Sequence, residues 1–396
     1  MEDGLPDRNL CLVVHSAGNA SLMQRPMPSP GPMQLLIRVE AVRVQAIPVA
    51  LADGTLVAPS GKPIVPGQEF CGVVVGAGSS VDRTDFPIGT KVAVAPRSFC
   101  ESCYYCERGQ TNLCEMGAEL FGWHVDGGYQ QYVCVSHRLC QSFDKNVSWK
   151  QAILAPSAAA ASYGMTKASI LPGDTVLVFG TNVCSLMGIV FSRGLGAESI
   201  CVVGSPGASP QQALSCGATK FVHWDPSGDE GQQYQNLRAV ILEETDGRGA
   251  DAVMFASDHG TGVPDMYVAV RLVRPGGCIV GVRVWEGAAD ADALGGEKAA
   301  CIVEKLHSKD IRYISVKGFS MSLFEQALRW IEGGLLSLGP DVEDCLPLNA
   351  WDEVHKKGAE GISTCILCPQ LDMVHFAQGI APAGFYSGGV QTVIPD

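Results

Sequence analysis

Up to about residue 150 the apolar positions come in short β-like runs, LLIRVEAV, CGVVVGAG and TKVAVAP, each cut off by glycine or proline. They predict a mostly β N-terminal region. From Ala152 the pattern changes to strand and helix signals in alternation. A helix-like LAPSAAAASYGMTKA leads to the strand TVLVF, the helix SLMGIVFSRGLGA and the strand SICVVG. The series continues through a helix around SPQQALSCGA, the strand KFVHW, a helix near QNLRAVILEETDG, the strand DAVMFA, a helix PDMYVAVRLVRPGG and the strand CIVGVRV. Alternation at this spacing predicts βαβ units and a parallel, doubly wound sheet, so the fold class is α/β. Farther on, SLFEQALRWIEGG reads as an amphipathic helix ending on a glycine pair, and STCILCP as a strand. The glycine-rich stretch from about Gln370 shows no clear period.

At 396 residues the chain is longer than one core usually covers, which favours two domains. Its 46% hydrophobic and 17% charged residues, with 46 glycines and 23 prolines, suit a turn-rich globular enzyme. The net charge of −13, with no basic run, leaves no electrostatic footprint for nucleic acid or anionic lipid, and points to a small-molecule partner. The acidic, polar start MEDGLPDRNL lacks the pattern of a secretory signal, and no apolar stretch reaches ~20 residues. A cytoplasmic protein is the expectation.

Most of the 16 cysteines, such as Cys71, Cys134, Cys201 and Cys278, are scattered through apolar segments and read as reduced core thiols. Cys100, Cys103, Cys106 and Cys114 differ. They stand as Cys-x2-Cys-x2-Cys-x7-Cys in FCESCYYCERGQTNLCEMG, a spacing that bends four thiolates onto one tetrahedral zinc with no open position. One structural Zn2+ per chain is expected.

At this cluster the sequence resembles the zinc-containing medium-chain dehydrogenase/reductases, and in particular microbial alcohol dehydrogenases. The likeness extends to FGWHVDGGYQQYV, PGQEFCGVVVGAGSSV and GCIVGVRV, and covers about residues 10 to 369. It implies a GroES-like, mostly β catalytic domain formed by residues 1–155 with 318–396, and a Rossmann cofactor domain over 156–317. It also implies a homodimer or homotetramer joined through the cofactor domain, with GCIVGVRV as a strand that could serve there. The family's catalytic zinc is held by an early cysteine, a histidine in Gly-His-Glu, and a cysteine opening the cofactor domain. The matching positions here are Gln45, Gln68 and Ser157. Amides and a hydroxyl are weak zinc ligands, so the resemblance implies a scaffold whose catalytic zinc has been lost. The proton relay is absent too, with Ile47 at its position.

Glu69 survives from the Gly-His-Glu motif and is either a structural carboxylate or a general acid/base. His124 and Tyr129, in the segment that lies near the substrate cleft in these relatives, are the other acid/base candidates, set against the plainer reading of a loop histidine and a packing ring. Tyr132 is a further candidate, and Phe121 and Trp123 are expected to line a wall. His307, His355, His375 and the Cys365-x2-Cys368 pair are expected to be inert.

The loop VLVFGTNVCSLMG follows a strand and opens a helix, as a dinucleotide fingerprint requires. Gly180, Thr181, Asn182 and Val183 would hold the pyrophosphate. Asn182 and Ser185 stand where the family has its second and third glycines; asparagine tolerates left-handed backbone and serine is small. At the end of the next strand Gly204 and Ser205 replace the acidic residue that would hold the ribose hydroxyls, which leans toward NADP(H) over NAD(H). Arg193 and Lys220 are the nearest cations in sequence.

Three readings follow. One is a zinc-independent, NADPH-dependent reductase of an activated C=C or C=N bond in a small molecule, with specialised metabolism suggested by analogy. Another is a redox-neutral isomerase, cyclase or lyase in the same pocket. The third is a non-catalytic pseudoenzyme.

Overall fold

A computed structural model describes residues 5–16, 19–54, 56–116, 119–225, 227–256, 266–283, 296–336, 345–351, 353 and 366–370. The N-terminal region is β, as its short apolar runs predict. A hairpin of β1 (Arg8–Ser16) and β2 (Asn19–Pro26) precedes β3 (Gln34–Arg43), a helix α1 (Ala46–Asp53), β4 (Phe70–Ala77), β5 (Lys91–Val94), β6 (Tyr132–Ser136) and β7 (Cys140–Ser142). Strand β3 is the spine: it pairs antiparallel with β4 on one side and with β6. Its residues Leu35, Ile37, Val39, Ala41 and Val42 are fully buried. Helix α1 was not legible in AVRVQAIPVA, where a proline falls inside an apolar run.

Two short helices, α2 (Trp149–Ala152) and α3 (Ala155–Ala168), lead into the second sheet. Its strands are β8 (Thr175–Phe179), β9 (Ser199–Gly204), β10 (Lys220–His223), β11 (Ala250–Ala256), β12 (Val273–Arg283) and β13 (Arg312–Lys317). They run parallel in the order β10-β9-β8-β11-β12-β13. That is the 3-2-1-4-5-6 order of a doubly wound dinucleotide-binding sheet, in which ligands bind where the order reverses, between β8 and β11. Helices α4 (Val183–Gly194), α5 (Pro210–Ser215), α6 (Glu230–Glu244), α7 (Met266–Leu272) and α8 (Gly296–Ser308) make the crossovers. Strand β12 begins at Val273, earlier than CIVGVRV suggests, and takes the end of the expected helix PDMYVAVRLVRPGG.

The chain then returns. Helix α9 (Met321–Glu332) packs against α3, and β14 (Cys345–Pro347) and β15 (Ile366–Cys368) join the first sheet through the pairing of Ile366 with Arg43 and Leu367 with Val42. Gln370 donates to the carbonyls of Val39 and Gln131, clamping the end of this strand onto β3. Cys368 is buried in the sheet. Cys365, His355, His375 and the tail beyond Gln370 lie outside the described residues; His307 is exposed on α8.

One expectation about assembly is corrected. GCIVGVRV lies in β12, whose backbone is paired with β11 on one side and β13 on the other, so it cannot add a strand from a second copy. Among the described strands the outermost at that end of the sheet is β13. No helix among the described residues is long and apolar enough to cross a membrane.

The second sheet is packed on both faces. Leu177, in the middle of β8, is fully buried and should tolerate no truncation. Leu177→Ala is expected to cost about 2–5 kcal/mol, read as a lower midpoint in thermal or denaturant unfolding; an unchanged midpoint would contradict this packing.

Candidate functional site

The end of β3 and the start of β4 lie side by side, and the Arg43 amide donates to the Glu69 carbonyl at 2.9 Å. The side chains meet as well. Arg43 Nε donates to Glu69 Oε2 at 2.6 Å, Arg43 Nη2 donates to Ser157 Oγ at 3.0 Å, and the Ser157 hydroxyl donates to Glu69 Oε1 at 3.4 Å. The Glu69 side chain is fully buried and that of Arg43 is 6% exposed. Ser157, in the first turn of α3, is also fully buried. A cation, a carboxylate and a hydroxyl from three elements thus close on one another away from water.

This network contains Ser157, one of the three positions that the resemblance matches to zinc ligands, and is flanked in sequence by the other two. Gln68 precedes Glu69, and Gln45 caps α1 two residues beyond Arg43. Gln68 is buried and Gln45 half-buried, and the solvent-shielded Gln45 Oε1 and Gln68 Nε2 have no hydrogen-bond partner among the described residues. The superfamily's catalytic zinc can be tested against these residues. They supply neutral amides and a hydroxyl where zinc takes thiolate, imidazole or carboxylate, and the nearest carboxylate is already neutralised. A unit charge within 4 Å of another is worth about 4 kcal/mol even at an effective dielectric near 20, so the Arg43 guanidinium alone opposes a divalent ion beside Ser157. The residues do not fit a catalytic metal.

Arg43 was missed in the sequence. The signal was a charged residue inside the apolar stretch EAVRVQAIPV, two positions before Gln45.

The backbone around the network is held by glycine. Gly67 has φ of +97°, and a Cβ there would lie 2.5 Å from Tyr129 Cδ1 and 2.9 Å from Val42 Cγ2. Only glycine lets the chain enter Gln68–Glu69 at this angle under the Tyr129 ring. Tyr129 is fully buried, meets the Trp351 ring tilted by 58° with centroids 5.6 Å apart, and its hydroxyl donates to the Arg43 carbonyl at 3.5 Å. His124 lies elsewhere, exposed on the turn 121–125, where its Nδ1 accepts from the Leu120 amide at 3.0 Å. A neutral ring there carries its proton on Nε2. Phe121 and Trp123 are buried in the core, Phe121 edge-on to Phe70 at 5.5 Å. Tyr132 is nearly buried, and its phenol is pushed up by desolvation. The structure therefore brings Glu69 and Tyr129 around Arg43, and leaves His124 at the surface.

The four cysteines of the lobe converge as their spacing predicts. The sulfurs of Cys100, Cys103, Cys106 and Cys114 all lie within 4.8 Å of one another, with Cys100 and Cys106 Sγ 4.0 Å apart. A ZnS4 tetrahedron with bonds of about 2.3 Å has edges of about 3.8 Å, so the donor set and its size fit one structural zinc. Backbone N–H groups aimed at the sulfurs, that of Ser102 first, hold the Cys100 thiol down to about 6, whereas burial first, then neighbouring sulfurs, pushes Cys106 up to about 12. Four thiolates this close need a cation. The lobe is tied to the end of β13 and the start of α9: Asn112 Nδ2 donates to the Lys317 carbonyl at 3.0 Å, and the Met321 amide donates to Thr111 Oγ1 at 3.1 Å.

At the switch point between β8 and β11, Gly180 takes φ of +92°, the left-handed turn the fingerprint needs. Asn182 does not use its tolerance for that region: it is extended, φ −67° and ψ 167°, and acts as N-cap of α4, accepting from the Ser185 amide at 2.9 Å. Its Nδ2 donates to the Ala256 carbonyl at the end of β11, 3.1 Å away, so the side chain spans the crevice. Ser185 Oγ donates back to the Phe179 carbonyl. Gly204 has a packing reason besides any ribose contact, since a Cβ there would lie 2.4 Å from Phe221 Cζ. Ser205 is half-buried just beyond the strand. Neither nearby cation is aimed at the crevice: Arg193 Nη1 donates to the carbonyls of Ala197 and Glu198, and Lys220 pairs with Glu244 at 2.6 Å.

Residues 31–145 match the family described as the alcohol dehydrogenase GroES-like domain. The chain is 28% identical over 218 residues to D-xylulose reductase A of Aspergillus oryzae, an alignment spanning 55% of this chain and 58% of that relative. It is 25% identical over 359 residues to the sorbitol dehydrogenase of Halalkalibacterium halodurans, spanning 90% and 98%. A Sinorhizobium meliloti dehydrogenase described as zinc-binding, in complex with NADP, superposes with a TM-score of 0.73 at 22% identity, covering 92% of this chain and all of that one. At that identity the last likeness speaks for the fold.

Two outcomes are expected. Arg43→Met strands the Glu69 carboxylate in a dry site and should lose about 3–5 kcal/mol of stability, while Arg43→Met with Glu69→Gln should recover most of it; equal losses in both would contradict a buried ion pair. Cys103→Ser should strip the lobe of zinc and lower the melting temperature, and acidification should release the metal from the unaltered protein because each ligand must be a thiolate. An unchanged melting temperature would contradict the structural site.

Proposed function

We propose that the chain is a medium-chain dehydrogenase/reductase and, within that superfamily, a zinc-independent, NADPH-dependent reductase of an activated C=C or C=N bond in a small molecule. The observation that carries this reading is the Arg43–Glu69–Ser157 network in the place of the catalytic metal. Alcohol oxidation on this scaffold needs a Lewis acid to acidify the hydroxyl. An enone or iminium brings its own electrophilicity, and then needs positioning and at most one proton donor.

The crevice between β8 and β11 is where NADP(H) would bind, with Gly180, Thr181 and Val183 of the turn and the N-terminus of α4 toward the pyrophosphate, and Gly204 and Ser205 toward the ribose. The named relatives are dehydrogenases and reductases, and the S. meliloti neighbour carries NADP, which supports the choice of cofactor. When bound, the cofactor supplies hydride. The absence of a carboxylate at Gly204, enforced by the Phe221 ring, leaves room for a 2′-phosphate.

Among the chain's own acid and base groups, Glu69 is engaged by Arg43 and serves as a positioning residue, and the buried Tyr129 holds the backbone of Arg43 in place. His124 is the proton donor in this reading, its protonated Nε2 suited to completing the reduction after hydride addition. A homodimer or homotetramer joined through the cofactor domain, and a cytoplasmic location, belong to the same proposal.

A second reading, a redox-neutral enzyme or a pseudoenzyme, is favoured by one observation: the Asn182 side chain spans the nucleotide crevice to Ala256. Titration separates the two. The reductase binds NADPH more tightly than NADH, oxidises it in the presence of an α,β-unsaturated aldehyde or ketone or a cyclic imine, and loses kcat in His124→Gln by about 10-fold or more with a shifted pH profile. Binding of neither nucleotide would sink hydride transfer and leave the second reading.

A further inference from the structure

The catalytic metal of the superfamily and the residues of this chain disagree in a specific way. Loss of ligands would leave a hole. Here the space beside Ser157 is occupied instead by a charged group of the protein: Arg43 Nη2 lies 3.0 Å from the Ser157 hydroxyl, and a metal bound to a donor atom at position 157 would sit about 2.0–2.3 Å from it. The two cannot share the site. Charge makes the same point, because Arg43 and Glu69 neutralise each other at 2.6 Å and Gln45, Gln68 and Ser157 are neutral, so these five residues leave no net negative charge to attract a cation.

We infer that Arg43 is a resident cation that substitutes for the divalent ion and keeps the site closed to metal, so that restoring the three ligands alone does not rebuild a metal site. The guanidinium is always protonated and its planar fork reaches the carboxylate and the hydroxyl together, a geometry an ammonium cannot reproduce. It is anchored by the Tyr129 hydroxyl on its carbonyl and by the pairing of its backbone with Ile366 of β15. The chain therefore carries its own electrostatic element, fixed in place and insensitive to metal supply. The inference is independent of the reaction catalysed, so an inactive reductase would leave it standing.

The test uses the full-length chain in four forms: unaltered; with Gln45→Cys, Gln68→His and Ser157→Cys; with those three plus Arg43→Gly; and with those three plus Arg43→Met and Glu69→Gln. Zinc content is measured, and the visible absorption of Co2+ exchanged into each protein distinguishes a four-thiolate site from a mixed thiolate–imidazole one. The unaltered protein and the three-ligand variant are expected to hold one zinc per chain, with only the four-thiolate cobalt spectrum. The two proteins lacking Arg43 are expected to hold a second, with the mixed spectrum. A second zinc in the three-ligand variant with Arg43 in place would overturn the inference. So would a single zinc in both proteins lacking Arg43 when they melt cooperatively, or failure of both to fold with zinc supplied, since the metal is expected to replace the missing cation.

Discussion

The ion pair between Arg43 and Glu69 is the constraint around which the interdomain region is built. Two charges leave water together only when their geometry satisfies both, and this pair does so with one bond between Nε and the carboxylate and a second route through the Ser157 hydroxyl. The partners come from the end of β3, the entry to β4 and the first turn of α3. Fixing them fixes how the first sheet meets the helix that leads into the second. The left-handed turn at Gly67 and the Tyr129 ring packed against it follow from the same need, because Glu69 must enter at an angle that leaves its carboxylate facing Arg43.

Two further ties hold distant segments in register around it. The cysteine lobe, closed by its zinc, reaches across with Asn112 and Thr111 to the end of β13 and the start of α9. The returning chain pairs β15 with β3 at Arg43 itself. The structural metal and the resident cation thus do related work at two places: each is a positive centre that gathers ligands from separated segments. On the proposed reading, one metal is kept and the other gives way to a side chain, which changes the chemistry and keeps the architecture. The nucleotide crevice shows a matching shift, with the Asn182 side chain where a glycine would leave the turn bare and a phenyl ring excluding a carboxylate at Gly204.

The alternating pattern carried most of the second sheet, since a strand buried on both faces, such as TVLVF or SICVVG, has nowhere else to go. The cysteine spacing carried the metal lobe for the same reason: local chain geometry decides it. What the sequence hid is what depends on distant partners. Helix α1 lies in a run whose proline argues against a helix until its place in the first turn is known. Asn182 was legible as a departure from glycine, but its bond to Ala256, 74 positions away, was not. The residues that the resemblance matches to zinc ligands, Gln45, Gln68 and Ser157, could be read one by one, yet the Arg43 side chain beside Ser157 could be recognised only once β3, β4 and α3 were brought together. For the same reason Glu69, which looked like a spare acid, is a counter-ion.

The most direct measurement is a crystal structure of the zinc-loaded chain with diffraction recorded on both sides of the zinc absorption edge. The account predicts one anomalous peak per chain, centred among Cys100, Cys103, Cys106 and Cys114, and none beside Ser157, with the Arg43 guanidinium in density between Glu69 and the serine hydroxyl. A second peak among Gln45, Gln68 and Ser157, with Arg43 turned away from Glu69, would contradict it.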